Sequence, residues 1–400
     1  MKNKKLLNLV LTFYVIILEI FSLKTVAYCE QLPCKPTSHG PVRIEGHQLM
    51  EDFDKDGAYE TFIIKGLGYS PYPIGRYPFD WGENIFDNEE ILRRDFQILQ
   101  EMHANIMRIW KGNPDFYNSA EDKIELTKKT FVLADEYGLK IIPGFWVRYD
   151  LDLRNKDTRA KLCNQFKDLV LKFKDCPALL FWAIGNEQNY HNGNNSGWYS
   201  LVNEMARIAY ETEGDTYHPV AVVNGEINNI NNPNLGTTDA QMNYLDIWGV
   251  NAYRGYSFGN LFRDFANKSA KPIWISEFGI DAWDNELGRE DESTQAEWDV
   301  NLFQEAFNAD VCIGATLMSY VDEWWKPQGW KNPSTHDASD GFRLAGATPD
   351  NFLNEEYWGI VALEKNDSII DGAKPRQVYY VLKDKFGQID HRYSKLEGLK

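Results

Sequence analysis

Short apolar runs recur along this chain, and most intervals between them carry the period of amphipathic helices. The runs are Phe62 to Leu67, Ala104 to Trp110, Leu139 to Trp146, Ala178 to Gly185, Pro219 to Val223, Leu245 to Asn251, Pro272 to Ser276 and Cys312 to Tyr320. Apolar stretches of this length without polar alternation predict strands covered on both faces. Helical patterns span Glu89 to Met102, Lys123 to Tyr137, Arg159 to Lys174, Tyr199 to Glu211 and Thr294 to Asn308, with a shorter one at Leu261 to Ala266. Asn88, and Ser293 or Thr294, are the predicted helix caps. Repeated strand–helix units predict an α/β fold with a parallel sheet. Eight strands, and no G-x-G-x-x-G turn after the first, favour a closed (β/α)8 TIM barrel over an open doubly wound sheet. Ahead of it, Pro41 to Glu60 reads as a short β-ribbon that turns through Asp54-Lys55-Asp56-Gly57 and caps the barrel bottom.

Two of the runs end in a charge. Ala178 to Gln188 passes from a buried-type strand into Gly185, Asn186 and Glu187, and Pro272 to Ile280 delivers Glu277 near the end of its own strand. Two strands that each present one carboxylate at the same end predict a pair of acids facing one cavity, the arrangement that two-carboxylate glycoside hydrolysis needs. The other strand ends supply Gly66 to Ser70 with Tyr69, Arg108 and Trp110, Trp146, Asn224 and Glu226, Asn251 and Tyr253, and Tyr320 to Trp325. Carboxylates, amides and aromatics hydrogen-bond hydroxyls and stack on sugar faces, so this rim predicts a sugar cleft.

A net charge of -17 argues against nucleic acid or an anionic membrane surface as partner. Few Lys or Arg at the strand ends disfavour a uronic acid, since carboxylates are usually held by Arg forks. Met1 to Lys5 is basic, Leu6 to Leu23 is largely apolar, and Thr25-Val26-Ala27 offers a small-residue cleavage site. That pattern predicts a signal peptide over residues 1–27 and a secreted or extracytoplasmic protein, with an uncleaved anchor as the alternative. Residues 28–60 then form an extension with the ribbon, and 61–390 one barrel domain, expected as a monomer. In an oxidising compartment Cys29 with Cys34, and Cys163 with Cys176, are candidate pairs, which leaves Cys312 as an odd thiol. Asn194, Asn267 and Asn366 open Asn-x-Ser sequons.

With Asn186-Glu187, Glu277, Arg108, Asn251-Ala252-Tyr253 and Trp324-Trp325 in these places, the chain resembles clan A of the glycoside hydrolases, the retaining (β/α) barrel glycosidases. The resemblance covers roughly Thr61 to Phe386. Within the clan, Phe62 to Gly66, Tyr357-Trp358-Gly359-Ile360, Lys374-Pro375-Arg376 and Tyr379-Tyr380 are similar to the barrel of family two and to the β-1,3-glucanosyltransferases of family seventy-two. The resemblance implies Glu187 as general acid/base, Glu277 as nucleophile and Arg108 as its charge partner. It also implies a hydrogen bond from Tyr253 to Glu277, and Asn186 on the sugar 2-hydroxyl. Tyr69, Trp146, Trp324 and Trp325 join Arg108, Asn186 and Tyr253 as substrate-binding candidates, with Asp281, Asp322 and Glu226 as reserve carboxylates. The activity implied is hydrolysis of a β-linked oligo- or polysaccharide through a glycosyl-enzyme intermediate, with no cofactor. Transfer on β-1,3-glucan is the alternative, and a silent glycan-binding barrel the non-enzyme one. The seven His include no H-x-H and no ligand cluster, which disfavours a metal-dependent hydrolase, and G-x-S-x-G is absent.

Overall fold

The computed structural model describes residues 35–78, 84–112, 126–191, 196–326, 332–338, 341–366 and 370–389. The signal-like segment 1–27, Cys29, Cys34 and Asn194 lie outside these residues. Strands β1 (Val42–Glu45), β2 (Gln48–Glu51) and β3 (Glu60–Thr61) form a small antiparallel sheet, with Val42 opposite Glu51 and Met50 opposite Thr61. Val42 and Leu49 are fully buried in one apolar cluster with Phe62, Ile106, Ile142, Leu180 and Trp274, so the ribbon caps the inside of the barrel.

The barrel strands are β4 (Ile64–Gly68), β5 (Ile106–Ile109), β6 (Lys140–Phe145), β7 (Trp182–Ile184), β8 (Val220–Gly225), β9 (Ile247–Asn251), β10 (Ile273–Phe278) and, after a hairpin of β11 (Trp283–Asp284) and β12 (Arg289–Glu290), β13 (Cys312–Leu317). All eight pair in parallel and in chain order, and β13 returns to β4 with Gly314 opposite Ile64. A closed parallel sheet leaves no free edge, and its strands are apolar because both faces are covered. Gly314 has φ +113°, and a Cβ there would lie 2.4 Å from the Ile64 carbonyl oxygen, so closure at this point needs glycine. The predicted strands are all present with shifted ends. In the fourth, Leu180 already donates to the Ile141 carbonyl at 3.0 Å, but regular pairing starts only at Trp182.

Helices α1 (Glu89–Glu101), α2 (Lys128–Glu136), α3 (Lys156–Phe173), α4 (Gln188–His191), α5 (Ser196–Glu213), α6 (Leu261–Ala266), α7 (Glu292–Asn308) and α8 (Gln377–Gln388) surround the sheet. In α3 the buried residues Leu162, Phe166, Leu169, Val170 and Phe173 recur at helical spacing and form the face against the barrel. Asn88 caps α1 as expected, but Asp291 caps α7 by accepting from Thr294 N–H at 3.2 Å. The helix therefore begins ahead of the Ser293 or Thr294 predicted from sequence. Residues 123–125 lie outside the described residues, and α2 starts after a Thr127 cap. Cys163 and Cys176 are free thiols, which overturns their predicted pairing. Cys163 lies ten residues before the end of α3, about 15 Å of helix, and Cys176 lies beyond that end. Cys312 is also buried and in no disulfide, its thiol donating to the Gly314 carbonyl at 3.3 Å.

Strands β14 (Phe342–Arg343) with β15 (Phe352–Leu353), and β16 (Val361–Glu364) with β17 (Gly372–Pro375), make two further ribbons before α8. Helix α8 is fastened to the first barrel strand. The buried Lys65 ammonium donates to the Phe386 carbonyl at 3.0 Å and to that of Ile389 at 3.3 Å, at the negative end of the helix. Arg376, just ahead of α8, makes a two-pronged ion pair with the fully buried Asp322, at 2.6 and 2.8 Å.

Candidate active site

The C-terminal strand ends surround a cavity of about 980 Å³, lined by residues from most of the barrel strands. Glu277, near the end of β10, is buried on its wall, and both of its carboxylate oxygens are engaged. Oε1 accepts from Arg108 Nη1 at 2.7 Å and from Trp110 Nε1 at 2.6 Å, and Oε2 accepts from the Tyr253 hydroxyl at 2.8 Å. Arg108 is 2% exposed, and its second prong reaches Asn186 Oδ1 at 2.7 Å. A buried charge pair of this kind needs such added hydrogen bonds to offset its desolvation. Burial, and next the neighbouring Glu277 carboxylate, push the Tyr253 hydroxyl well above the usual range, so it stays a proton donor to that carboxylate.

The second carboxylate is set by a turn. After β7 the chain passes through Gly185 at φ +69° and Glu187 at φ +56°. A side chain at Gly185 would meet Gln188 Oε1 at 2.3 Å and the Trp198 ring at 2.6 Å, so only glycine fits. Helix α4 is then tied to the strands on either side. Gln188 accepts from Asn186 N–H and donates to the Val147 carbonyl, each at 2.6 Å. Asn189 pairs with both peptide groups of Gly225 at 2.6 and 2.7 Å. Glu187 is thereby held on the cavity wall, where Asn251 Nδ2 donates to its Oε1 at 3.0 Å and to Asn186 Oδ1 at 3.1 Å. Burial first, and the charge of Glu277 second, push the Glu187 carboxyl up to about 7. One carboxyl able to carry a proton near neutrality thus shares a cavity with an ion-paired carboxylate, the division of labour expected of an acid and a nucleophile.

The other candidates divide. Trp146 lines the cavity edge-on to Tyr149, and Trp325 lines it edge-on to Tyr72. Trp324 is not at the cavity; its ring stacks on His336 at 4.4 Å, and His336 stacks in turn on Tyr357 at 3.6 Å, which removes it as a sugar platform. Tyr69 lies at the cavity floor, but it is 1% exposed and its hydroxyl is turned away to Asp95 at 3.0 Å, so its polar end is not offered to a ligand. Of the reserve carboxylates, Asp322 is paired with Arg376, Asp281 accepts from Asn354 Nδ2 at 3.1 Å, and Glu226 lines the cavity in an ion pair with Arg254. His191 ends α4, its ring stacked on Tyr149. Trp330 and His391 lie outside the described residues.

Sequence reasoning placed Trp110 at the rim without a role and missed three further contributors. Trp110 bonds Glu277, and Tyr149 donates to the Asn186 carbonyl at 3.1 Å. Lys326, on the cavity wall, pairs with Glu323 at 2.8 Å and Glu355 at 3.2 Å. Trp358 packs edge-on against Tyr253 with ring centres 5.1 Å apart. Trp110 alone carried a local signal, two residues beyond Arg108 at a strand end.

This barrel and the residues at its mouth place the chain in a known class. Residues 84–326, more than half of the chain, match the model for the glycosyl hydrolases family 2 TIM barrel domain, and the chain belongs to that family. Among characterised proteins it is similar to human beta-glucuronidase, 23% identical over 55% of this chain and 32% of that protein. It is similar also to the probable 1,3-beta-glucanosyltransferase GAS3 of Saccharomyces cerevisiae, 23% identical over 37% of this chain and 28% of that one. The beta-D-glucuronidase structure from Dictyoglomus thermophilum shares the fold, with a TM-score of 0.58 and 17% identity over 88% of this chain and 54% of that chain. The chain thus spans less than two thirds of the length of each of these relatives.

Proposed function

We propose that this protein is a retaining β-glycosidase acting on a β-linked oligo- or polysaccharide. The observation that carries the reading is the contrast between its two acids: Glu277 is gripped by three donors, while Glu187, with a proton affinity raised to about 7, faces the same cavity. In the first step a Glu277 oxygen attacks the anomeric carbon, the bond to the leaving oxygen breaks, and Glu187 gives that oxygen its proton. A glycosyl ester on Glu277 results. In the second, Glu187 takes a proton from water as the water oxygen attacks the same carbon, releasing the sugar and restoring both side chains. The Asn186 amide, fixed by Arg108 and Asn251, is offered for the 2-hydroxyl.

A neutral sugar is supported by the pairing of Lys326, on the wall, with Glu323 and Glu355, and of Arg254, outside the lining, with the wall residue Glu226. Transfer to a second sugar in place of water is supported by the cavity volume, which at about 980 Å³ exceeds the needs of one pyranose. The leader-like residues 1–27 support secretion. The test is a panel of aryl β-glycosides and β-linked polysaccharides with the anomer of the first product read by proton NMR. The β-anomer is expected, and the α-anomer would overturn retention. Glu277→Gln is expected to abolish turnover, and Glu187→Gln to lower it by roughly 10²- to 10⁴-fold on saccharide leaving groups.

A further inference from the structure

We infer that Tyr190 forms the stacking platform for the sugar on the leaving-group side of the cavity, the same platform receiving an acceptor sugar in transfer. The inference rests on the glycosidase reading above. An acid that protonates the leaving oxygen must sit beside it, so the sugar attached to that oxygen lies along the wall that carries Glu187. That wall is α4. Its Gln188 and Asn189 are buried and turned inward, tied to the Val147 and Gly225 peptides, while Tyr190 is 58% exposed and still lines the cavity. Tyr190 N–H donates to the Glu187 carbonyl at 3.0 Å, which fixes the ring close to the acid.

The ring rests against bare backbone. A Cβ at Gly225 would lie 2.0 Å from Tyr190 Cε2 and 2.4 Å from Cζ, so the seat exists because Gly225 has no side chain. A tyrosine seated on a peptide, with more than half its surface open and cavity space in front of it, presents the apolar face that the C–H groups of a pyranose cover. Its hydroxyl has no hydrogen-bond partner among the described residues. Burial, and then the charges of Glu187 and Glu226, push it up to about 12, so it remains a donor for a sugar hydroxyl. Glu226, beside it and paired with Arg254, adds acceptor oxygens at the same wall.

The test compares two substrates of whichever sugar the panel finds turned over: its β-linked tetrasaccharide, whose leaving group needs this wall, and its β-glycosyl fluoride, whose leaving group does not. The quantity read is the ratio of kcat/KM for the tetrasaccharide to that for the fluoride, which a general loss of folded enzyme leaves alone. Tyr190→Ala is expected to lower this ratio about tenfold, equivalent to about 1.4 kcal/mol. Tyr190→Phe, which keeps the ring, should stay within about threefold of the native ratio. An unchanged ratio in Tyr190→Ala, or an equal loss in Tyr190→Phe, overturns the platform. A panel in which the native enzyme turns over no glycoside overturns the glycosidase reading instead.

Discussion

As the proposed acid, Glu187 must hold a proton, and its surroundings raise its affinity for one. Burial and the Glu277 charge raise its proton affinity, while Asn251 and Arg108 pull the other way. The high-pH limb of kcat/KM should therefore fall through about pH 7, well above an ordinary carboxylate. In Glu277→Gln the second raising influence is gone, so Glu187 should titrate lower, read by carbon NMR of the labelled carboxyl. An unmoved titration would mean that the two acids do not sense each other. Both glutamates were legible in the sequence because a charge at the end of an apolar strand stands out against its neighbours. The place of Lys326 was not, because Glu323 lies only three residues before it whereas Glu355 reaches it from beyond β15.

The turn from β7 into α4 converts a strand end into an acid of fixed direction. It depends on one backbone conformation at Gly185 and on two amide side chains, Gln188 and Asn189, bonded to the flanking strands. Gly185→Ala would introduce roughly 1–3 kcal/mol of backbone strain as well as a contact at 2.3 Å with Gln188. The expected outcome is a fall of at least tenfold in kcat/KM with unchanged far-UV circular dichroism; native activity would show that α4 does not position Glu187. The eight barrel strands were readable from their apolar runs and six of the helices from their periodicity, but α4, α8 and the short ribbons after β10 and β13 were not. Nor were the strand ends, because hydrogen bonds to neighbouring strands decide them, as at Leu180 and Trp182. Trp324 shows the same limit: adjacent to Trp325 in sequence, it turns into the His336 and Tyr357 stack while its neighbour lines the cavity.

Closure joins the two ends of the barrel domain. Strand β13 pairs with β4, and α8 is fastened to the same first strand through Lys65. Lys65→Met keeps the stem of the side chain but leaves the Phe386 and Ile389 carbonyls without that donor. A loss of about 1–3 kcal/mol is expected in guanidinium unfolding at equilibrium, and unchanged stability would mean that the contact is incidental. The closed fold was anticipated from the count of eight strands, whereas this link was not, because nothing local in either segment announces the other. The pairing of β13 with β4 also sets a timetable for biosynthesis. A nascent chain leaving the ribosome carries β4 with one side unpartnered until Gly314 and its neighbours emerge, and the ring cannot shut before then. During that interval the exposed strand is where a chaperone, or a second copy of the chain, finds its first opportunity to bind.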